Sequence, residues 1–282
     1  MMTNKAKFLV TGATGNIGGA VVSALLAKGM NVQAGSTRPE TAQYDDRVEK
    51  VKLVYSETET VKAALEGING VYLIAPPMDP FVQRVLIPFI DAAKKAGVNH
   101  IILNSSFGVE FEEDDALRIT EKYLMACGVN YTIFRPNFIM ENFTSGFIAP
   151  MIAEGGIFLA ADEAKTSFVA CKDIGACAAV AFDEMLYDGE FNLSGPEAIS
   201  HSDVARIISK KTGRSIQYHA LSEEEMLAAA RAQGMPEASV EMFGGLYHLT
   251  REGIMARVFN DVNTITGTPP QSFAQFAASA NW

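Results

Sequence analysis

Three glycines near the start of the chain, Gly12, Gly15 and Gly18, stand three positions apart. They follow the apolar run Phe8-Leu9-Val10 and open an amphipathic segment. Gly12 permits a tight turn, Gly15 lets the backbone approach a pyrophosphate, and Gly18 lets a helix pack closely on the preceding strand. A helix N-terminus also favours phosphate. The order of strand, turn and helix predicts a dinucleotide-binding site at Gly12, Thr14, Gly15, Asn16, Ile17 and Gly18.

The residues at the end of the second apolar run indicate whether the dinucleotide is NAD or NADP(H). A carboxylate there would bond the ribose 2′-hydroxyl of NAD. Here the order is Gly35-Ser36-Thr37-Arg38, and the first acidic residue, Glu40, comes later. Arg38 offers a planar fork of donors for a 2′-phosphate, and Ser36 offers a hydroxyl. The pattern favours NADP(H) as the cofactor, with a solvated surface arginine as the alternative interpretation of Arg38.

Two later loops are expected to complete the site, because ligands of parallel sheets bind beyond the carboxyl ends of the strands. Ala75 and Pro76 form a small, rigid segment suited to lie against a ribose or nicotinamide ring. Asn104 and Ser105 could hydrogen-bond the nicotinamide side. Ordinary loop chemistry is the alternative interpretation for each of these four residues.

The elements that must position these residues alternate between short apolar runs and amphipathic segments. This alternation predicts an α/β fold, a Rossmann-type doubly wound parallel sheet. Strands are expected at 7–11, 31–35, 51–55, 70–75, 98–104 and 131–135, and helices at 17–28, 59–66, 81–96 and 117–127. A strand and helix within 165–184 and a strand at 190–193 follow. Helices are then expected at 202–212, capped by Ser202, and at 222–233, with a capping box formed by Ser222 and Glu225.

We expect an NADP(H)-binding Rossmann domain over residues 1–150, with a return to the sheet near 165–195. A small C-terminal α/β substrate-binding region is expected over 151–282. With 282 residues, 48% of them hydrophobic, the chain can bury a full core. Its net charge of −10 opposes direct nucleic-acid binding.

The cysteine and histidine content argues against a metal site. The three cysteines, Cys127, Cys171 and Cys177, show no ligand spacing and are interpreted as reduced thiols.

The first seven residues hold no long apolar run, and no run is long enough for a membrane span. We therefore expect a cytoplasmic protein without membrane association, acting as a monomer or homodimer.

Several short blocks along the chain, taken in order, resemble the NmrA-like family of atypical short-chain dehydrogenase/reductases. The resemblance covers nearly the whole chain and lies closest to the quinone and triphenylmethane-dye reductase branch. The blocks are residues 12–18, Arg38, 91–98, 131–136, Glu141-Asn142, 173–175, 191–197 and 266–270.

The resemblance implies an NADP(H)-binding Rossmann domain, a small C-terminal domain and a cleft between them. Members include quinone oxidoreductases, triphenylmethane-dye reductases, clavine-type imine reductases and non-catalytic redox sensors of transcription. Family membership alone therefore does not fix the reaction.

The usual proton-donating pair of short-chain dehydrogenases, Tyr-x-x-x-Lys, is missing from the expected helix. Tyr123 is present, but position i+4 is Cys127. Many relatives in the reductase branches carry lysine or histidine about four residues before the helix glutamate. Counting back from Glu121, that position is Leu117, which cannot donate a proton. No catalytic residue is assigned.

Two interpretations follow. In the first, NADPH gives hydride to a small molecule that needs little acid help: a quinone, a cationic dye or an iminium. Met78, Phe107, Phe138 and Phe143 would then line the acceptor pocket, with interdomain core as the alternative for Phe138 and Phe143. In the second, the protein is a non-catalytic NADP(H) sensor that acts through a protein partner. We favour the reductase.

Overall fold

A computed structural model describes residues 6–41 and 43–282 of the chain. Residues 1–5, which belong to the N-terminal stretch without a long apolar run, lie outside the described residues. The strands are β1 (Lys7–Val10), β2 (Asn31–Ser36), β3 (Glu49–Lys52), β4 (Gly70–Ile74), β5 (His100–Asn104), β6 (Asn130–Pro136), β7 (Gly156–Leu159), β8 (Lys165–Thr166), β9 (Gly189–Leu193), β10 (Ile199–Ser200) and β11 (Gln217–Ala220). The helices are α1 (Asn16–Ala27), α2 (Thr58–Leu65), α3 (Gln83–Lys95), α4 (Ala116–Ala126), α5 (Ala149–Ala153), α6 (Cys171–Asp183), α7 (His201–Thr212), α8 (Glu223–Ala232), α9 (Glu237–Arg251), α10 (Asp261–Thr266) and α11 (Phe273–Ser279).

The central sheet has the order β3-β2-β1-β4-β5-β6-β9, and every pair of neighbours is parallel. The strand order reverses between β1 and β4. In open parallel sheets ligands bind at this switch point, outside the carboxyl ends of the strands. The glycine turn follows β1 directly and therefore lies at the switch point. The predicted Rossmann-type fold is confirmed.

Helices cover both faces of the sheet, as expected for strands that read as continuous apolar runs. Successive residues of β1 divide between the faces: Leu9 belongs to one buried cluster and Val10 to the other. Val10 packs in the cluster that includes residues of α1 and α6, and Leu9 in the cluster that includes residues of α2, α3 and α4. This packing fixes the sheet and leaves its carboxyl edge for a site.

The C-terminal part of the chain has its own apolar cluster. It is built from β7, α7, α8, α9 and α11, together with the segment that follows β6. Two small sheets support it, a parallel pair of β7 with β11 and an antiparallel pair of β8 with β10. This cluster lies beyond the end of β6, so the C-terminal elements face the carboxyl edge of the central sheet.

The structure confirms most of the expected elements and corrects one cap. Every predicted strand and helix between residues 7 and 136 is present, with bounds shifted by three residues or fewer. The Ser222–Glu225 capping box at the start of α8 is present. The cap of α7 is Ser200 rather than Ser202, because Asp203 completes a capping box with Ser200.

Candidate functional site

The glycine turn has the backbone geometry that its sequence requires. Gly12 has φ +57°, a left-handed conformation that a residue with a β-carbon adopts only at a cost. The turn is fixed by Gly15 N, which donates to Gly12 O at 3.0 Å, and by Ala13 N, which donates to Gly35 O at 3.1 Å. The second bond ties the turn to β2. The structure thus holds the turn and the end of β2 side by side.

Gly18 allows α1 to pack against the turn. A β-carbon at Gly18 would lie 2.3 Å from Gly12 O and 2.8 Å from Ala13 Cα. The helix begins after Gly15, no side chain caps it, and its first turn holds no acidic residue. The amide groups at this end therefore keep their positive potential for an anion. These features fit the pyrophosphate of a dinucleotide.

The end of β2 places the residues predicted for the 2′-phosphate beside the turn. Ser36 is the last residue of β2 and is buried, and Arg38 is exposed two residues later. Among the described residues, the Ser36 hydroxyl has no hydrogen-bond partner. The donor set is a hydroxyl and a guanidinium with no carboxylate between them, which suits a phosphate better than a free ribose hydroxyl pair.

The ends of β4 and β5 bring the other predicted cofactor residues to the same edge. Asn104 is buried, and its Oδ1 accepts a hydrogen bond of 2.8 Å from the Tyr72 hydroxyl. The next residue, Ser105, is also buried, and its hydroxyl lies beside the Glu121 carboxylate. Ala75 and Pro76 follow β4 and are half-buried. The predicted cofactor residues therefore follow four neighbouring strands.

A cleft of about 500 Å³ lies at this edge. It joins the start of α1 to the loops after β4, β5 and β6 and to the C-terminal elements. Among the described residues that line it, none has a titratable side chain. The lining residues are Ile17, Pro77, Met78, Asn104, Ser105, Ser106, Phe107, Pro136, Asn137, Phe138, Ile139, Asn142, Phe147, Leu246 and Met255.

A second cavity of about 340 Å³, here called the apolar annex, adjoins the cleft. It shares Met78, Phe138, Phe147 and Leu246 with the cleft. Its other walls are mainly apolar side chains of the C-terminal part, with Glu154 and Gln233 as its polar residues: Met151, Glu154, Phe158, Leu159, Leu221, Met226, Ala229, Ala230, Gln233, Met235 and Phe243. Cleft and annex together offer room for a flat aromatic ligand beside the carboxyl edge.

The residues predicted to bind substrate divide between the cleft and the core. Met78, Phe107 and Phe138 line the cleft. Phe143 does not, because its side chain is 1% exposed and packs against Phe168 and Phe273 in the C-terminal cluster. Phe143 belongs to the core of the C-terminal cluster, and we remove it from the candidate substrate residues.

Neither position considered for proton donation reaches the cleft as a donor. The Tyr123 hydroxyl donates to Asp91 Oδ1 at 2.5 Å, which ties α4 to α3, and this bond with burial raises the pKa of Tyr123. Leu117 lines a different cavity, together with Ala75 and Pro76. No group of three or more His, Cys, Asp or Glu in the described part of the chain is placed to hold a metal ion.

The buried cysteines lie within α6 as free thiols. Burial, together with the Glu141 carboxylate, raises the pKa of Cys171, and burial raises that of Cys177 to about 12. Both therefore stay protonated at neutral pH. In the described ranges no helix has the length and apolar character needed to cross a membrane.

Sequence reasoning missed the contacts that close the site from the C-terminal side. The Ser145 hydroxyl donates to Asn16 Oδ1 at 3.0 Å, so the segment after β6 touches the first residue of α1. Glu141 accepts from the Cys171 amide at 3.0 and 3.1 Å, which anchors that segment to the start of α6. Leu246, on α9, and Met255 line the cleft from far along the chain.

A signal for α9 exists in the sequence. The buried side chains Val240, Phe243, Tyr247 and Thr250 follow a helical spacing. Two adjacent glycines, Gly244 and Gly245, weaken that pattern, since glycine disfavours a helix interior.

The sheet order and the glycine turn at its switch point define a Rossmann-type protein. A model of the NmrA-like family matches residues 4–263, so the chain belongs to that family. The chain is 30% identical to the prestalk A differentiation protein A of Dictyostelium discoideum, over 98% of this chain and 94% of that protein. It is 29% identical to the NAD(P)H azoreductase of Xenophilus azovorans, over 95% of this chain and 96% of that enzyme.

A solved structure shares the fold. The NADPH complex of an NADPH-dependent quinone oxidoreductase from Escherichia coli aligns with a TM-score of 0.81 and 23% identity, covering 96% of this chain and 98% of that one. At this identity the likeness concerns the fold.

Proposed function

We propose that this chain is an NADPH-dependent oxidoreductase that transfers hydride to a flat, electrophilic small molecule such as a quinone, a cationic dye or an iminium. The observation that carries the proposal is the cleft at the carboxyl edge, where the described lining residues include no titratable side chain. A neutral ketone needs a proton at its oxygen as hydride arrives. An acceptor that is cationic or readily reduced needs much less of this help.

The residues at the strand ends would hold NADP(H) in an extended arrangement. The amides at the start of α1 would bind the pyrophosphate, and Ser36 with Arg38 would bind the 2′-phosphate. Ala75 and Pro76 would lie against the ribose or nicotinamide, and Asn104 and Ser105 would bond the nicotinamide side. NADPH supplies a hydride when bound.

The protein's own residues would mainly orient the two reacting rings and exclude water. Phe107 is buried and fixed by an edge contact with Phe259, at 5.0 Å between ring centroids. Phe138 is packed against Tyr247, at 5.8 Å. These fixed walls hold a flat acceptor in one orientation, and such positioning accounts for a large part of the rate when little proton transfer is required. The supporting relative is the azoreductase, whose name gives NAD(P)H as its reductant.

The test is a panel of acceptors mixed with the protein and NADPH, followed by the loss of reduced-nicotinamide absorbance. We expect turnover of quinones, triphenylmethane cations and cyclic iminium ions, and no turnover of neutral ketones of similar size. Efficient ketone reduction would contradict the argument from the uncharged cleft. Tight NADPH binding without turnover of any acceptor would instead support the non-catalytic sensor.

A further inference from the structure

Met78 has an unusual backbone conformation at the centre of the site. It lies in the loop between β4 and α3 with φ +54°, in the left-handed region that a residue with a β-carbon enters at a cost. Such a conformation persists only where surrounding contacts hold it. Pro77 and Pro80 have fixed φ angles, so a change of φ in this part of the loop falls on the two residues between them, Met78 and Asp79.

A side chain from the C-terminal part provides such a contact. Ser239, in the first turn of α9, is 5% exposed, and its hydroxyl donates to the carbonyl oxygen of Met78 at 2.8 Å. The two residues are 161 positions apart in the chain. This hydrogen bond therefore joins the loop of the Rossmann sheet to the helix that supplies Phe243 and Leu246 to the annex.

Met78 stands where three cavities meet. It lines the cleft, the apolar annex and a third cavity of about 420 Å³. The third cavity differs in character from the other two, because its lining includes four carboxylates: Asp79, Asp114, Asp115 and Glu241. Met78 is thus a shared wall between an uncharged reaction cleft and an acidic space.

We propose that Ser239 is a positioning residue that holds Met78 in this conformation and thereby sets the size of acceptor that the cleft admits. This inference rests on the proposed function. With the hydrogen bond in place, the Met78 side chain separates the cleft from the acidic cavity. Without it, the loop relaxes towards right-handed backbone angles, the wall moves, and longer acceptors extend into the third cavity.

The first test compares Ser239→Ala with a matched control, Ser209→Ala. The Ser209 hydroxyl also donates to a carbonyl, that of Ile216 at 3.0 Å, but it lines none of the three cavities. Amide hydrogen exchange at Phe81, whose N–H donates to Asp79 Oδ1 at 2.9 Å in the same loop, should be about three- to tenfold faster in Ser239→Ala, the range expected for one lost hydrogen bond. The control should leave it unchanged.

The second test measures acceptor selectivity as the ratio of kcat/KM for a large and a small quinone. Ser239→Ala should shift this ratio by about fivefold or more towards the large quinone, mainly through KM, because pocket contacts set such discrimination. The NADPH dissociation constant and kcat for the small quinone should stay within about twofold of the original protein.

The variant Met78→Gly distinguishes the effect of the Met78 side chain from the effect of the loop backbone. Glycine adopts the left-handed conformation without cost and keeps the carbonyl, so the loop retains its course while the wall is removed. The ratio of kcat/KM for the large and the small quinone should again shift towards the large quinone. Adding Ser239→Ala to Met78→Gly should then change the ratio by less than about twofold, because Ser239 acts through Met78.

The outcomes separate the two proposals. If the original protein reduces no acceptor, the proposed function fails and the selectivity role fails with it. If it does reduce acceptors, an unchanged ratio in Ser239→Ala or fully additive effects in the double variant overturn the positioning role alone. Unchanged amide exchange in Ser239→Ala overturns the hold on Met78, whatever the protein reduces.

Discussion

At Gly18 a single hydrogen atom in place of a side chain decides whether α1 can meet the glycine turn. A β-carbon would lie 2.3 Å from the carbonyl oxygen of Gly12, an approach that only a backbone shift can relieve. Gly18→Ala should therefore displace the amides at the start of α1. We expect NADPH binding to weaken by about tenfold to hundredfold, the equivalent of one or two charge-assisted hydrogen bonds. Fluorescence titration of NADPH measures the effect.

The neighbouring glycine provides the control. A β-carbon at Gly19 would meet Ala13 O at 3.5 Å, an ordinary contact. Gly19→Ala should keep NADPH binding within about twofold and raise the free energy of unfolding by up to about 1 kcal/mol, since alanine favours a helix over glycine. Equal losses of binding in the two variants would contradict the role given to Gly18.

Arg38 carries the choice between the two dinucleotides. Arg38→Ala removes the guanidinium at the end of β2, and we expect it to weaken NADPH binding by about 1.5–3 kcal/mol with little effect on NADH. Calorimetric titration with both cofactors measures the difference. Arg206→Ala, at an exposed position on α7, should change neither affinity. Equal losses for NADPH and NADH in Arg38→Ala would contradict the assignment to the 2′-phosphate.

At the scale of elements, α4 is fixed to β6 by a buried ion pair. Arg135 donates to both carboxylate oxygens of Glu121, at 2.8 and 2.7 Å, and Glu121 is fully buried. Burial opposes ionisation of Glu121, but its hydrogen bonds, led by those from Arg135, outweigh burial and lower the pKa of its carboxyl. Glu121→Gln should lower the free energy of unfolding by about 2 kcal/mol, because Arg135 then loses its buried counter-charge and keeps only the more exposed carboxylate of Glu190.

Urea unfolding of Glu121→Gln and Glu113→Gln tests this assignment. Glu113 is exposed and pairs with Arg118 and Lys122 at the surface, so its replacement should cost less than about 1 kcal/mol. Similar losses in the two variants would show that the buried pair between α4 and β6 does not contribute more than a surface pair.

The elements of the first half of the chain are more predictable from sequence than those of the second half. Strands such as β4, Gly70–Ile74, are local apolar runs, here opened by a glycine and followed by prolines, so their signal is contained in a few residues. The short strands β8 and β10 contain two residues each and exist only because they pair with each other. No local sequence pattern predicts these two strands.

In the whole molecule, the candidate cleft is formed by residues that lie far apart in the sequence. Ile17 and Met255 line one cavity although 238 positions separate them in the printed sequence. The Rossmann rule predicts which loops reach the carboxyl edge, so the residues after β1, β2, β4 and β5 could be assigned from sequence. The same rule does not predict how the C-terminal part covers that edge. The sequence therefore does not show that Phe143 packs in the C-terminal cluster while Phe138 lines the cleft.

Two buried histidines link the stability of the whole molecule to pH. Burial lowers the pKa of His100 and of His201 to about 4 in the folded protein, below the ordinary value of 6.5. The unfolded chain therefore takes up protons that the folded protein does not. The two neutral histidines therefore make their full contribution to the free energy of unfolding above pH 6.5. This contribution is lost as the pH falls towards about 4.

The variant His201→Leu isolates one of these two protons. His201 packs among aromatic rings in the C-terminal cluster, and its Nδ1 has no hydrogen-bond partner among the described residues. In urea unfolding at a series of pH values between 6.5 and 4, the slope of the unfolding free energy should fall by about 1.4 kcal/mol per pH unit relative to the original protein.

Phe276→Leu is the matched control, because Phe276 is buried in the same C-terminal cluster and carries no titratable group. Its replacement should lower the free energy of unfolding by the same amount at every pH and leave the slope unchanged. If His201→Leu also keeps the original slope, His201 takes up its proton in the folded protein. The C-terminal cluster would then have to admit water next to Tyr247, which packs against the cleft residue Phe138.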